Sequence, residues 1–165
     1  MNDEYDEVDQ LFAELRERET CSDDLLRVEN VLSKHADCAR LWDLCGDLLR
    51  LFAVHTNGND ASKLRARECY ETAVGISPDD YLPYESLGFW HDTIEDDIGK
   101  SYDYFEKALA LGNRDSTRIG MSRVLAQLGK RDDAIKMLLK CENTPEAQLL
   151  LKEISSGQWD PIPKD

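Results

Sequence analysis

The chain has 165 residues, with 34 acids against 20 bases and a net charge of −14. That length suits one domain with a core large enough to stand without disulfide or metal staples. The charge argues against a nucleic-acid partner and against anionic membranes, because both need clustered Lys and Arg.

Further priors come from composition. With 5 prolines and 9 glycines, long helices are favoured over turn-rich β structure. The 5 cysteines are odd in number and none has CxxC spacing, so neither a disulfide framework nor a zinc site is expected. Reduced thiols in a cytosol account for them. Residues 1–7 are acidic and polar, unlike a signal or transit peptide, and no apolar run nears the ~20 residues of a membrane helix. A cytoplasmic protein is expected. The acids concentrate early: residues 1–112 hold 26 acids and 11 bases, residues 113–165 hold 8 and 9. That asymmetry reads equally as a solvated surface or as steering of a basic partner.

In chain order, helical periodicity predicts nine helices. The first, 4–19, carries an apolar stripe of Tyr5, Val8, Leu11, Phe12 and Leu15. The second, 23–36, contains Asp24, Val28, Val31 and Ala36. The third, 39–54, runs through Leu41, Trp42, Leu44, Cys45, Leu48, Leu49 and Phe52. A long connection, 55–60, reads as a tolerated insertion. Asp60 caps the fourth helix, 61–76, with Ala66, Tyr70 and Ala73, and Pro78 follows. Pro83 falls in the first turn of the fifth, 81–92, whose apolar residues are Leu82, Tyr84, Leu87, Phe89 and Trp90. The sixth, 95–111, holds Ser101, Phe105 and Ala108, and Gly112 is expected as a left-handed terminator. The seventh, 115–128, carries Ile119, Val124, Leu125 and Leu128, and Gly129 is expected to end it in the same way. The eighth, 131–141, holds Ala134, Leu138 and Cys141. Pro145 opens the ninth, 145–155, with Gly157 after it. The organisation expected is one helical domain over 1–155 and a polar tail over 156–165. In that tail Trp159 either tucks back on the last helix, docks in a neighbour's groove, or is disordered.

One ladder recurs within these helices. Ala66, Tyr70, Ala73 and Pro78 are spaced by 4, 3 and 5 residues. The same spacing returns as Ser101, Phe105, Ala108 and Asn113, again as Ala134, Leu138, Cys141 and Glu146, and in worn form as Asp24, Val28, Val31 and Ala36. The copies are offset by 42, 35 and 33 residues. The last two offsets approach the ~34-residue period of a stacked helix-turn-helix repeat, and the first implies an insertion.

These residues resemble the tetratricopeptide repeat. In that family the first helix of each copy reads Trp-x-x-Leu-Gly-x-x-Tyr, and the second carries small-x-x-x-aromatic-x-x-Ala…Pro. Trp42-Asp-Leu-Cys45-Gly46 matches the first half, with Cys45 for Leu and Leu49 for Tyr. Tyr84-Glu-Ser-Leu87-Gly88 matches too, with His91 at the tyrosine place, and Leu128-Gly-Lys-Arg-Asp-Asp-Ala134-Ile135 fits the internal turn and second helix. The resemblance implies an all-α, right-handed α-solenoid of antiparallel helix pairs, with the outer helices 4–19 and 145–155 as caps.

It also implies a partner groove lined by the first helix of each copy. Carried over residue by residue, that groove comprises Asp43, Asp47 and Arg50, then Leu82, Glu85, Phe89 and Asp92, then Ile119 and Arg123. Carboxylates beside apolar side chains suit a basic or amphipathic protein segment. The competing expectation is that Leu82 and Phe89 pack on neighbouring helices and the acids are merely solvated. Asp43, Asp47 and Ser86 stand where chaperone-tail-binding relatives place Lys, Asn and Arg, so a carboxylate-clamp co-chaperone is not expected. His91 and Glu95 share a helix face but lack further converging ligands, and no metal, cofactor or catalytic motif is expected. The function expected is a non-catalytic adaptor, scaffold or assembly factor. The alternatives are an acidic chaperone like those of type III secretion and an inhibitor of a basic protein.

Overall fold

The computed structural model describes residues 3–17, 21–55, 60–142 and 144–159. Nine α-helices and no strand are found among them. They are α1 (Asp3–Arg16), α2 (Ser22–Leu32), α3 (Ala39–His55), α4 (Asp60–Ile76), α5 (Leu82–Trp90), α6 (Ile98–Leu111), α7 (Asp115–Gln127), α8 (Arg131–Leu138) and α9 (Pro145–Ser155), with a π-helical turn over His91–Glu95. Most of the connection read as an insertion, 56–59, lies outside the described residues, as does the tail from 160 onward. The chain groups into two compact units, Met1–Pro78 and Asp79–Asp165.

In the first unit α3 and α4 form the tightest hairpin, and α2 packs on α3. The ladder explains why. Ala66, Tyr70 and Ala73 are all wholly buried, as is Val28 of the worn copy. A Cβ on Gly46 would lie 2.5 Å from a ring carbon of Tyr70, so α3 can approach α4 only because that position has no side chain. Asp24 stands where the ladder calls for a small residue. Its wholly buried carboxylate accepts the Cys21 backbone N–H at 2.7 Å and so closes the start of α2. Ion pairs Glu14–Arg27 and Glu29–Arg65 link helices at the surface, where each adds little.

In the second unit the hairpins α5–α6 and α7–α8 are joined through α6 and α7, and α9 covers the last hairpin. Phe105 organises this packing. Its ring is wholly buried, and a Cβ on Gly88 of α5 or on Gly120 of α7 would fall 2.8 Å or 2.5 Å from it. One aromatic ring therefore seats two bare helix backbones, and the Ser101 hydroxyl donates to the Gly88 carbonyl at 2.9 Å beside it. Leu138, Ala147, Leu150 and Ile154 complete the core towards the end of the chain. Thr144 caps α9 by accepting the Ala147 N–H at 3.2 Å. Trp159 tucks back on α9: its indole N–H donates to Glu153 at 3.2 Å and its ring packs on the core.

Two local expectations are corrected. Gly129 does take a left-handed φ of 73°, but Gly112 is extended at φ −148°. Glycine is needed at 112 for space, since a Cβ there would meet the Tyr81 ring at 2.5 Å. The fifth helix does not stop at 92: it widens into the π turn, and Asp96 then reverses the chain at φ 55°. Trp90 and His91, where the helix meets the π turn, are both buried, at 3% and 2% exposure.

Candidate functional site

On α3 of the first unit, Asp43 is buried, whereas Asp47 and Arg50 sit at the surface. The Tyr70 hydroxyl donates to Asp47 at 2.9 Å, and Arg50 lies 3.6 Å from the same carboxylate oxygen. Partial burial raises the Asp47 carboxyl above the ordinary aspartate range, against the pull of Arg50 and Tyr70. The phenol of Tyr70 is pushed up by its own burial, so it remains a donor.

In the second unit, Leu82, Glu85, Phe89 and Asp92 are spaced by 3, 4 and 3 along one face. Leu82 and Phe89 are half-buried. Phe89 meets Phe105 edge to face with centroids 4.9 Å apart. The two acids on this face are not free. Glu85 is 9% exposed and accepts the Ser116 hydroxyl at 2.9 Å and the Thr117 hydroxyl closer still. Asp92, also 9% exposed, lies 3.2 Å from Arg123 and accepts from the Gln127 amide at 2.8 Å. Ile119 is buried in the core and offers no surface.

The structure thus brings Leu82, Glu85, Phe89, Asp92 and Arg123 together across α5 and α7. Ser116, Thr117 and Gln127, which compensate the acids, were missed by sequence reasoning. A signal existed: Glu85 and Asp92 are seven residues apart, as are Ser116 and Arg123, so acids and donors each form one stripe.

The π turn gathers a different chemistry. The His91 ring stacks on Tyr104 at 5.1 Å with an 8° tilt, and meets Trp90 edge-on at 4.9 Å. Burial depresses its proton affinity below the ordinary histidine range, although Glu95 opposes this. Its Nδ1 lies 2.8 Å from Glu95 Oε2. Asp97 caps α6, accepting the Lys100 N–H at 3.0 Å, and the Lys100 ammonium lies 3.3 Å from Asp97 and 3.6 Å from Glu95.

Helix hairpins with small-to-large ladders at their seams define the tetratricopeptide-type repeat fold. Solved structures share it, among them the following two. A thermophilic TPR protein from Thermus thermophilus, TTC0263, superposes with a TM-score of 0.68 at 14% identity, covering 83% of this chain and 72% of that one. MamA protein superposes at 0.61 with 16% identity, covering 82% and 72%. No protein-family model matches the chain, and no curated protein matches it by sequence. None of the described helices is long and apolar enough to cross a membrane.

Proposed function

We propose that this chain is a non-catalytic protein-interaction module that holds a segment of a partner protein on the first-helix faces of its repeats. Those faces are α3 in the first unit and α5 with α7 in the second. The observation that carries the reading is the α5 face. Leu82 and Phe89 are only partly buried, while Glu85 between them and Asp92 beyond already have donors from α7. A strip in which apolar side chains alternate with acids that already have donors favours the apolar side of an amphipathic helix over a purely basic peptide. On α3 of the first unit, the surface pair Asp47 and Arg50 offers one charge of each sign. The fold of TTC0263 and MamA supports stacked hairpins, and this chain's own residues supply the surface.

The test is capture from native lysate with the wild-type chain, with Leu82→Glu and with Arg50→Glu, after circular dichroism shows all three equally folded. Loss of the same partner by Leu82→Glu is expected. Equal capture by all three would remove the α5 face from the account.

A further inference from the structure

We infer that His91, Glu95 and Asp97 form a binding site for a divalent transition-metal ion of the zinc class. Among the described residues, one donor atom from each lies within 4.8 Å of the other two. His91 and Glu95 share one helix face, and Asp97 joins them because of the backbone. Asp96 takes a left-handed conformation, and the Asp97 N–H then bonds back to the His91 carbonyl at 3.0 Å. That fold-back swings the Asp97 carboxylate towards the His91–Glu95 pair.

Geometry at the imidazole points to a shared cation. Nδ1 of His91 is buried and only 2.8 Å from Glu95 Oε2, yet it forms no aligned hydrogen bond. Nitrogen and oxygen approach closely with the oxygen off the ring's N–H axis. A cation placed between them would satisfy both atoms. Ligand atoms around zinc sit about 2.0–2.2 Å from the ion, hence roughly 3–3.5 Å apart, so the His91–Glu95 pair at 2.8 Å has to open slightly to admit it. Asp97 needs to move inward by about an ångström to join them. Stacking on Tyr104 holds the ring rotamer.

The donor set selects the ion. One imidazole with two carboxylates suits zinc, cobalt or manganese, whereas calcium and magnesium prefer all-oxygen shells. Glu95 and Asp97 are 29% and 38% exposed at the side chain, so water reaches the remaining coordination positions. The Lys100 ammonium now stands beside both carboxylates, and its side chain is 55% exposed, free to swing out when the ion enters. The ion would fasten the π turn to the start of α6.

The experiment titrates reduced, chelator-stripped chain with Co²⁺ by absorption and with Zn²⁺ by calorimetry. One equivalent is expected, without a thiolate-to-cobalt charge-transfer band. Asp97→Asn and His91→Gln should each weaken binding at least about tenfold, since each removes a ligand. Lys100→Met should tighten it about fivefold to tenfold by removing a unit charge about 4–5 Å from the ion. That variant also separates the proposal from misfolding, because its effect is a gain. Saturable binding absent from both the wild type and Lys100→Met would overturn the inference, as would a thiolate band.

Discussion

The seating of Phe105 between two glycines makes a quantitative prediction. Replacing Gly88 with Ala puts a methyl 2.8 Å from the ring, inside the optimum carbon–carbon separation of about 3.5–4.0 Å. The ring is wholly buried and cannot retreat. Gly88→Ala should therefore cost about 1–3 kcal/mol, even though alanine is intrinsically the better helix former by about 1 kcal/mol. Phe105→Ala should cost about 3–5 kcal/mol through lost burial and the cavity left behind. In the double variant the added methyl has nothing to strike. Its penalty should vanish and the helix-propensity gain return, leaving a total of about 2–4 kcal/mol. The two changes should thus couple by about 2 kcal/mol or more, in the favourable direction. Urea unfolding followed by circular dichroism measures this through the midpoint at constant slope. Additivity within about 0.5 kcal/mol would show that the ring does not set the α5–α6 spacing.

Other variants address the site. Thr117→Val leaves the buried Glu85 carboxylate short of a donor and should destabilise by about 1–3 kcal/mol in thermal melts, whereas Ser116→Ala, nearer solvent, should cost less. Arg123→Ala takes the guanidinium from Asp92 while the Gln127 amide stays, and should cost about 1–3 kcal/mol; adding Asp92→Leu should recover part of that, and no recovery would contradict the pairing. Asp47 carries a folded-state pKa above its unfolded value, so its contribution favours the fold below the unfolded pKa and is lost as pH rises through the folded one. The melting temperature of Asp47→Asn relative to wild type should therefore grow as pH rises from the acid side of the aspartate range to neutrality, and a gap independent of pH would refute the desolvation argument. Trp159→Ala should cost about 1–2 kcal/mol, since the ring is only partly buried, and should let the last helix melt at lower temperature.

Much of the fold was legible because ladder residues obey local rules. Tyr70, Phe105 and Leu138 are large, apolar and helically spaced, and each is buried at 3% exposure or less. Gly46 and Gly88 could be read as close-approach positions for the same reason. Gly120 could not, because its need arises from the Phe105 ring reaching it from another helix. The π turn escaped prediction since it depends on one extra residue of register, which apolar spacing does not report. The site was legible as a face but not as a charge. Glu85 and Asp92 read as open carboxylates from α5 alone, and only the packing of α7 supplies the hydroxyls, amide and guanidinium that satisfy them.

The reading that partners bind the first-helix faces is tested most directly by placing a photo-crosslinking amino acid at Leu82 and, separately, at Leu139. Leu139 follows α8, the second helix of its hairpin, and is 67% exposed. Irradiation in native lysate should yield a discrete crosslinked protein from position 82, mapping to an amphipathic segment, and only background from 139. Crosslinks of equal or greater yield from 139 would place the binding surface elsewhere.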